Sequence, residues 1–148
     1  MSDIDNSKQL REVIRILERK LGVLGEFKTS CCGVTMAQCH ALVEIGRAGD
    51  ISLKELSEIL NLDSSSMSRT VNNLVNNGLV RRDIDPLDRR YVTITLTESG
   101  NELFRSIEER MNSYFESVYL ALPEDKRKQV LESLDILIGA IDKKNVVN

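Results

Sequence analysis

The sequence predicts a mainly α-helical fold with one small β-hairpin near the middle of the chain. Three observations carry this prediction. In several segments apolar residues recur every three to four positions, which is the spacing of one face of an α-helix. Tryptophan is absent and aromatic residues make up 4% of the 148 residues, so aliphatic side chains must form the core. Residues 91–96 alternate polar and apolar side chains, as a half-buried strand does.

The composition is that of a globular domain. The chain is 41% hydrophobic and 29% charged, with 2 prolines and 8 glycines, which argues against a disordered or fibrous protein. No uncharged stretch approaches the length of a membrane span, and the acidic, polar N-terminus is unlike a secretory signal. Because the cysteines number three, we expect a protein of the reducing cytoplasm rather than a disulfide framework.

The first helix is predicted at residues 7–21. Its apolar residues share one face: Leu10, Val13, Ile14, Leu17 and Leu21. Gly22 and Gly25 are expected to end the helix, because glycine is a poor helix former. A loop is expected from there to Gly33.

Two capping boxes mark the starts of the next two helices. Thr35 with Gln38, and Ser52 with Glu55, have the spacing at which the paired side chains satisfy the first N–H groups of a helix. The second helix is expected to end at one of the glycines in residues 46–49. The third is short, and the residues expected to face inward are Leu53, Leu56 and Leu60.

The fourth helix is predicted at residues 64–77 and has two distinct faces. Asn61 tolerates the left-handed conformation that turns the chain, Asp63 can cap the helix, and Gly78 fits its C-terminal stop. The apolar face consists of Met67, Val71, Leu74 and Val75. The opposite face is a continuous polar stripe of Ser65, Ser68, Arg69, Asn72 and Asn76.

A β-hairpin with an arginine-rich tip follows the fourth helix. Strands are predicted at 79–83 and 91–96, and Asp85-Pro86 between them is typical of a turn. Four of the 20 basic residues lie here within ten positions: Arg81, Arg82, Arg89 and Arg90. The net charge of −3 does not indicate nucleic-acid binding, but a local cluster of arginines is sufficient for it.

Two long helices complete the chain. Thr97 is expected to cap a helix at 98–121, and Pro123 to separate it from a helix at 124–143. One face of the first carries Leu103, Ile107, Met111, Phe115 and Val118, and one face of the second carries Val130, Leu131, Leu134, Leu137, Ile138 and Ile141. These two helices and the first helix carry more apolar surface than one small domain could cover. We therefore expect the three helices to form a dimerisation arm.

The fourth helix and the hairpin together predict a DNA-binding surface. Short polar side chains let a helix backbone approach the floor of the major groove, and arginine reaches guanine or phosphate. The alternative is a merely solvated face, but such faces usually hold Glu and Lys, and this stripe carries no acidic residue. An arginine on a thin hairpin can enter the minor groove, and Asp88 can orient Arg90 through a charge-assisted hydrogen bond.

Several motifs, in this order and spacing, resemble those of the MarR family of bacterial and archaeal transcriptional regulators. The matching segments are 53–57, 65–71, 74–82, 85–90 and 96–100. The resemblance implies a winged helix-turn-helix lobe at residues 35–97 and a dimerisation arm made of residues 1–34 and 98–148.

The resemblance also implies a homodimeric regulator, expected to be a repressor, that binds a pseudo-palindromic operator in double-stranded DNA. Its half-sites would lie about 10 bp apart. The implied DNA-binding residues lie on the fourth helix and on the β-hairpin, which forms the wing. They are Ser65, Ser66, Ser68, Arg69, Asn72 and Asn73 on the helix, and Asp88, Arg89 and Arg90 on the wing. Members of the family are generally released from DNA by small phenolic or lipophilic ligands, and nothing in the sequence identifies such an effector.

The three cysteines form a cluster, with Cys31, Cys32 and Cys39 lying close in sequence and His40 beside the last. Three interpretations stay open. The cysteines are small apolar residues buried between helices. Alternatively, two or three thiolates hold arsenite, Zn²⁺ or Cu⁺, with His40 assisting. In the third interpretation, Cys39 forms a redox switch with Cys31 or Cys32. The N-terminus of the second helix would favour the thiolate of Cys39.

Two other classes of function compete with a DNA-binding regulator. An enzyme is disfavoured because Cys39 and His40 are adjacent and point about 100° apart on a helix, and no phosphate loop or carboxylate pair is present. We therefore expect no catalytic residue and no required cofactor. A winged-helix protein–protein module is slightly favoured by the pI of about 5.3 and disfavoured by the arginine-rich wing. Steep salt dependence of DNA binding would distinguish the regulator from it.

Overall fold

A computed structural model describes the backbone of residues 2–32 and 34–147, and side chains within residues 2–22 and 34–145. In chain order this part contains α1 (Asp3–Cys32), α2 (Met36–Ala48), β1 (Asp50–Ser52), α3 (Leu53–Leu60), α4 (Ser64–Asn76), β2 (Val80–Ile84), β3 (Val92–Leu96), α5 (Glu98–Ala121), a 3₁₀ turn (Glu124–Lys126) and α6 (Arg127–Val147). The predicted fold class is confirmed. The chain divides into two compact units, Met1–Glu108 and Glu109–Asn148.

The first helix is longer than the sequence predicts. We expected Gly22 and Gly25 to end it and a loop to follow, but α1 continues to Cys32. A glycine inside a helix costs about 1 kcal/mol relative to alanine, which weakens a helix without breaking it. The predicted loop over residues 22–32 is therefore wrong.

The predicted starts of α2 and α3 are confirmed. The Thr35 hydroxyl accepts a hydrogen bond from the Gln38 N–H at 3.2 Å, and the Gln38 side chain accepts one from the Thr35 N–H at 3.2 Å. The Ser52 hydroxyl likewise accepts from the Glu55 N–H at 3.1 Å. Here the Glu55 carboxylate accepts from the Ser52 hydroxyl at 3.0 Å, whereas the predicted box has it accept from the backbone. Either arrangement satisfies the first turn of the helix.

Residues with positive φ terminate the helices of the lobe. Gly49 (φ 84°) follows α2, Asn61 (φ 54°) follows α3, and Gly78 (φ 74°) comes after α4. The sequence left the end of α2 open between two glycines. Gly46 lies inside that helix, where an added Cβ would overlap the ring of Phe104 from α5. Gly46 therefore does not end α2. It lets α2 pack closely against Phe104 of α5.

The three strands form one antiparallel sheet in the order β1-β3-β2. Ile51 of β1 pairs with Ile94 of β3, and β2 pairs with β3 from Val80↔Leu96 to Ile84↔Val92. The sequence pattern does not predict β1, because its three residues are too few to display a period. The core of the first unit is built from Val34, which precedes α2, and from side chains of the helices and the sheet: Cys39, Ala41, Leu42, Ile45, Ile51, Leu56, Met67, Val71, Leu74, Val80, Ile94 and Ile107.

The start of α5 is attached to the base of the hairpin. The Thr97 hydroxyl donates to the Gly78 carbonyl at 2.6 Å and accepts from the Gly100 N–H at 3.1 Å. A Cβ at Gly100 would overlap the carbonyl oxygen of Leu79. The Leu-Thr-x-x-Gly motif therefore combines a helix cap with a close backbone approach.

The apolar faces of the terminal helices are exposed in the single chain. In α1, Leu17 exposes 39% of its surface and Val13 exposes 53%. In the second unit none of the described side chains is buried, and Phe115 and Leu134 remain 48% and 41% exposed. No helix in the described part of the chain is both long and apolar enough to cross a membrane.

Candidate nucleic-acid interface

Packing of α4 against the lobe core fixes which of its faces is accessible. Met67, Val71 and Leu74 are fully buried, and the predicted polar stripe therefore lies on the outside. Of the predicted site residues on this helix, Ser65, Arg69, Asn72 and Asn73 are exposed, and Ser66 and Ser68 are half-buried. The accessible face carries one cationic side chain and no carboxylate.

A short hydrogen-bonded chain at the start of α4 holds Arg69. The Asp63 carboxylate accepts from the Ser66 N–H at 2.7 Å and from the Ser66 hydroxyl at 3.2 Å, and the Arg69 guanidinium donates to that hydroxyl at 3.3 Å. These bonds, led by the one from the Ser66 backbone and assisted by the charge of Arg69, lower the pKa of Asp63 below its ordinary value. Since its hydroxyl is engaged on both sides, Ser66 is placed to position Arg69.

The tip of the hairpin is closed by its own hydrogen bonds. The Asp85 N–H donates to the Tyr91 carbonyl at 2.9 Å, and the Tyr91 N–H donates to the Asp88 carbonyl at 3.0 Å. Inside this ring the Asp85 carboxylate accepts from the Leu87 N–H at 2.8 Å. These bonds give the loop between β2 and β3 a defined shape.

The predicted pairing of Asp88 with Arg90 is present at this tip. The two carboxylate oxygens accept from Nε at 3.0 Å and from Nη2 at 2.8 Å, and the Arg90 backbone N–H adds a third bond at 3.1 Å. The Arg90 side chain lowers the pKa of Asp88, and Asp88 raises the pKa of Arg90. An ion pair whose arginine is 88% exposed contributes little to stability. Its effect is to hold the guanidinium in one orientation.

The remaining acidic residues of the hairpin also have partners. Asp83 pairs with Arg81 at 3.3 Å, and Asp85 accepts the loop bond described above. Arg82 and Arg89 are exposed. Hydrogen bonding orients these carboxylates but does not cancel their charge, so four arginines and three aspartates leave the hairpin with a small net positive charge.

A cleft of about 350 Å³ lies where the starts of α3 and α4 meet the hairpin. Its lining consists of Ser52, Leu53, Lys54, Ser64, Arg90, Tyr91 and Val92. The sequence did not single out Lys54 and Ser64 as site residues, although each lies within two positions of an N-cap that it predicts, Ser52 or Asp63. First-turn N–H groups and a lysine are suited to contacting a phosphate oxygen.

The structure describes only part of the predicted cysteine cluster. Cys39 is fully buried in α2, while His40 is exposed and lines a separate, mostly apolar cleft of about 290 Å³ with Met36, Ala37, Leu60 and Leu62. The side chains of Cys31 and Cys32 lie outside the described residues. Within the described residues no three His, Cys, Asp or Glu side chains are grouped so that they could hold a metal ion. The proposed arsenite or soft-metal site stays a prediction.

Comparison with known protein sequences agrees with this geometry. Residues 34–92, which contain α2 to the start of β3, match the model of the MarR family. An uncharacterized HTH-type transcriptional regulator of Bacillus subtilis, YdgJ, is 24% identical over 123 residues, which cover 83% of this chain and 75% of that protein. The regulator BilQ of Clostridium symbiosum is 25% identical over 105 residues, which cover 71% of this chain and 73% of BilQ.

Solved structures share the architecture. A MarR transcriptional regulator from Methanosarcina mazei superposes with a TM-score of 0.78 at 25% identity, covering 92% of this chain and 98% of that chain. FabT of Streptococcus pneumoniae, solved in complex with DNA, superposes with a TM-score of 0.81 at 19% identity. The match covers 93% of this chain and 98% of the FabT chain. The second likeness is one of fold alone.

Proposed function

We propose that this chain, whose residues 34–92 match the MarR family model, is a homodimeric MarR-type repressor that binds sequence-specific operators. The observation that carries the proposal is the tip of the wing, the hairpin formed by β2 and β3. There Asp88 holds the highly exposed guanidinium of Arg90 in one orientation. A carboxylate that fixes an exposed arginine gains the molecule little stability, so the pairing is better explained by a ligand that the arginine meets.

We assign the two grooves of DNA to two elements of the lobe. The polar face of α4 is suited to the major groove, where Arg69 can reach guanine and Asn72 or Asn73 can reach adenine. The wing is suited to the minor groove, where an inserted arginine gains from the negative potential. Lys54 and Ser64, in the cleft between these elements, are suited to the intervening phosphates.

Dimerisation is supported by the exposed apolar faces of the terminal helices. Side chains such as Leu17 in α1 and Leu134 in α6 leave about two-fifths of their surface open in the single chain, at 39% and 41%. A second copy of the chain would cover these faces. In a two-fold symmetric dimer each copy contributes the same residues to the interface. The dimer would then place two α4 helices on half-sites about one helical turn apart.

The test is selection of duplexes from a random library, followed by fluorescence anisotropy over a salt series. We expect enriched, pseudo-palindromic sequences and an affinity that falls linearly with salt on logarithmic axes, because bound phosphates release counterions. Arg90→Ala should weaken binding by about tenfold and flatten the salt slope. The matched control is Arg15→Ala in α1, where the arginine is 63% exposed. If no duplex is enriched, the winged lobe is a protein–protein module instead.

For the release signal we propose a small phenolic or lipophilic effector, with Cys39 as a structural residue. The complete burial of Cys39 supports this over the metalloid or soft-metal site and the redox switch, since a reactive thiol needs access. Arsenite and peroxide, added to the wild type and to Cys39→Ala on operator DNA, test the choice. Release of the wild type alone by either reagent would reinstate cysteine-based sensing.

A further inference from the structure

The tip of the wing also carries an apolar side chain that the proposed function does not use. Leu87 is 96% exposed, the largest exposed fraction among the large apolar side chains that the structure describes. Two further apolar side chains of the hairpin, Ile84 and Tyr91, are 60% and 62% exposed. Isolated exposed leucines are common on protein surfaces. This one stands three residues before Arg90, on the segment proposed to enter DNA.

The position of Leu87 is defined by the loop that carries it. Its N–H is held by the Asp85 carboxylate at 2.8 Å, and backbone bonds between Asp85, Asp88 and Tyr91 close the ring around it. The loop that exposes Leu87 is therefore the loop that exposes Arg90. Any surface that receives the guanidinium meets the leucine as well.

We propose that Leu87 enters the minor groove beside Arg90 and wedges against a base step there. The proposal rests on the function proposed above and deepens it. Continuity with Arg90 favours DNA as the occupant, because the loop bonds that expose Leu87 also set the place of the arginine proposed to enter the minor groove. The groove is about 6 Å wide, and leucine is among the side chains that proteins insert there between base steps.

This contact would give the wing a sequence preference that an arginine alone does not have. An apolar wedge partly unstacks the bases it meets, and pyrimidine–purine steps such as TA and CA unstack most easily. We therefore expect the wild-type protein to enrich such a step where each wing lies. Leu87→Ala should bind the same half-sites without preference at that step.

The experiment compares Leu87→Ala, Leu87→Met and Arg90→Ala on the duplex that the wild-type protein enriches from a random library. Leu87→Ala should bind about fivefold to tenfold more weakly, because part of a leucine side chain is no longer buried. Its salt slope should equal that of the wild type, since no phosphate contact is lost, whereas Arg90→Ala should flatten the slope. Leu87→Met, which keeps an apolar side chain, should stay within about twofold of the wild type.

Ile136→Ala in α6 is the matched control, because Ile136 is 74% exposed and lies outside the predicted arm face. The proposal is overturned if Leu87→Ala binds like this control. It is also overturned if Leu87→Ala flattens the salt slope as Arg90→Ala does, because the leucine would then act only by shaping the loop. A wild-type protein that enriches no duplex would overturn the proposed function itself, which is a different result.

Discussion

Leu56 in α3 and Leu134 in α6 belong to similar apolar stripes in the sequence, yet Leu56 is fully buried and Leu134 is 41% exposed. In the lobe, three helices and a sheet converge, so each apolar face meets another face of the same chain. In the second unit none of the described side chains is buried. An apolar stripe therefore indicates that a face will be covered, but it does not indicate whether the cover comes from the same chain.

The largest expected effect comes from opening the core of the lobe. Leu56→Ala should lower the free energy of unfolding by about 3 kcal/mol, because it removes buried methyl groups and leaves a cavity. Ile136→Ala, at an exposed position of α6, should change it by less than about 0.5 kcal/mol. Urea denaturation followed by circular dichroism measures both. Equal effects of the two substitutions would mean that the lobe does not hold its core by itself.

The next effect should separate the two copies without unfolding either lobe. Leu134→Asp places a charge on the exposed face of α6, and a charge cannot be buried there without a partner. We expect a monomer in sedimentation and operator binding weaker by roughly a hundredfold, since the two half-sites are no longer bound together. Leu134→Met should remain a dimer. A dimeric Leu134→Asp protein would show that this face is not part of the arm.

A smaller effect is expected on the accessible face of α4. Arg69→Ala should weaken operator binding by about 1–3 kcal/mol if the guanidinium contacts a base through two bonds. Ser66→Ala should weaken it less, because it removes only the hydroxyl that positions Arg69. Anisotropy titrations on single-base variants of the operator measure both. Loss of discrimination at one base pair in Arg69→Ala identifies the base, and uniform weakening would assign Arg69 to phosphate.

The smallest effect concerns the cap of α4 and its dependence on pH. The pKa of Asp63 lies below its ordinary value of 3.8 because its carboxylate accepts bonds from Ser66. The stabilisation is therefore complete above pH 3.8 and is lost as the pH falls through the lowered pKa. Asp63→Ala should reduce the Tm by a few degrees at neutral pH, and the difference should shrink below pH 3.8. A difference independent of pH would mean that the ionised carboxylate is not what caps the helix.

Several predictions that rest on neighbours in the chain were confirmed, but the end of the first helix, which was also predicted from local residues, was wrong. The caps at Thr35 and Ser52, the left-handed Asn61, and the Asp88–Arg90 pair each involve residues within three positions of one another. The end of α1 was wrong because a glycine penalty of about 1 kcal/mol competes with the rest of a long helix. The roles of individual residues in DNA binding stay predictions.

By itself the sequence determined the starts of α2 to α5, the two faces of α4 and the arginine-rich wing, since hydrogen bonds and periodicity within one segment decide them. Only the tertiary structure decided which apolar faces are covered, that β1 pairs with β3, and that Gly46 and Gly100 permit close approach to Phe104 and Leu79. The structure likewise placed Cys39 in the core and Leu87 in solvent. Burial and close contact depend on which segments pack together in the folded chain. Local sequence patterns do not show which distant segments are in contact.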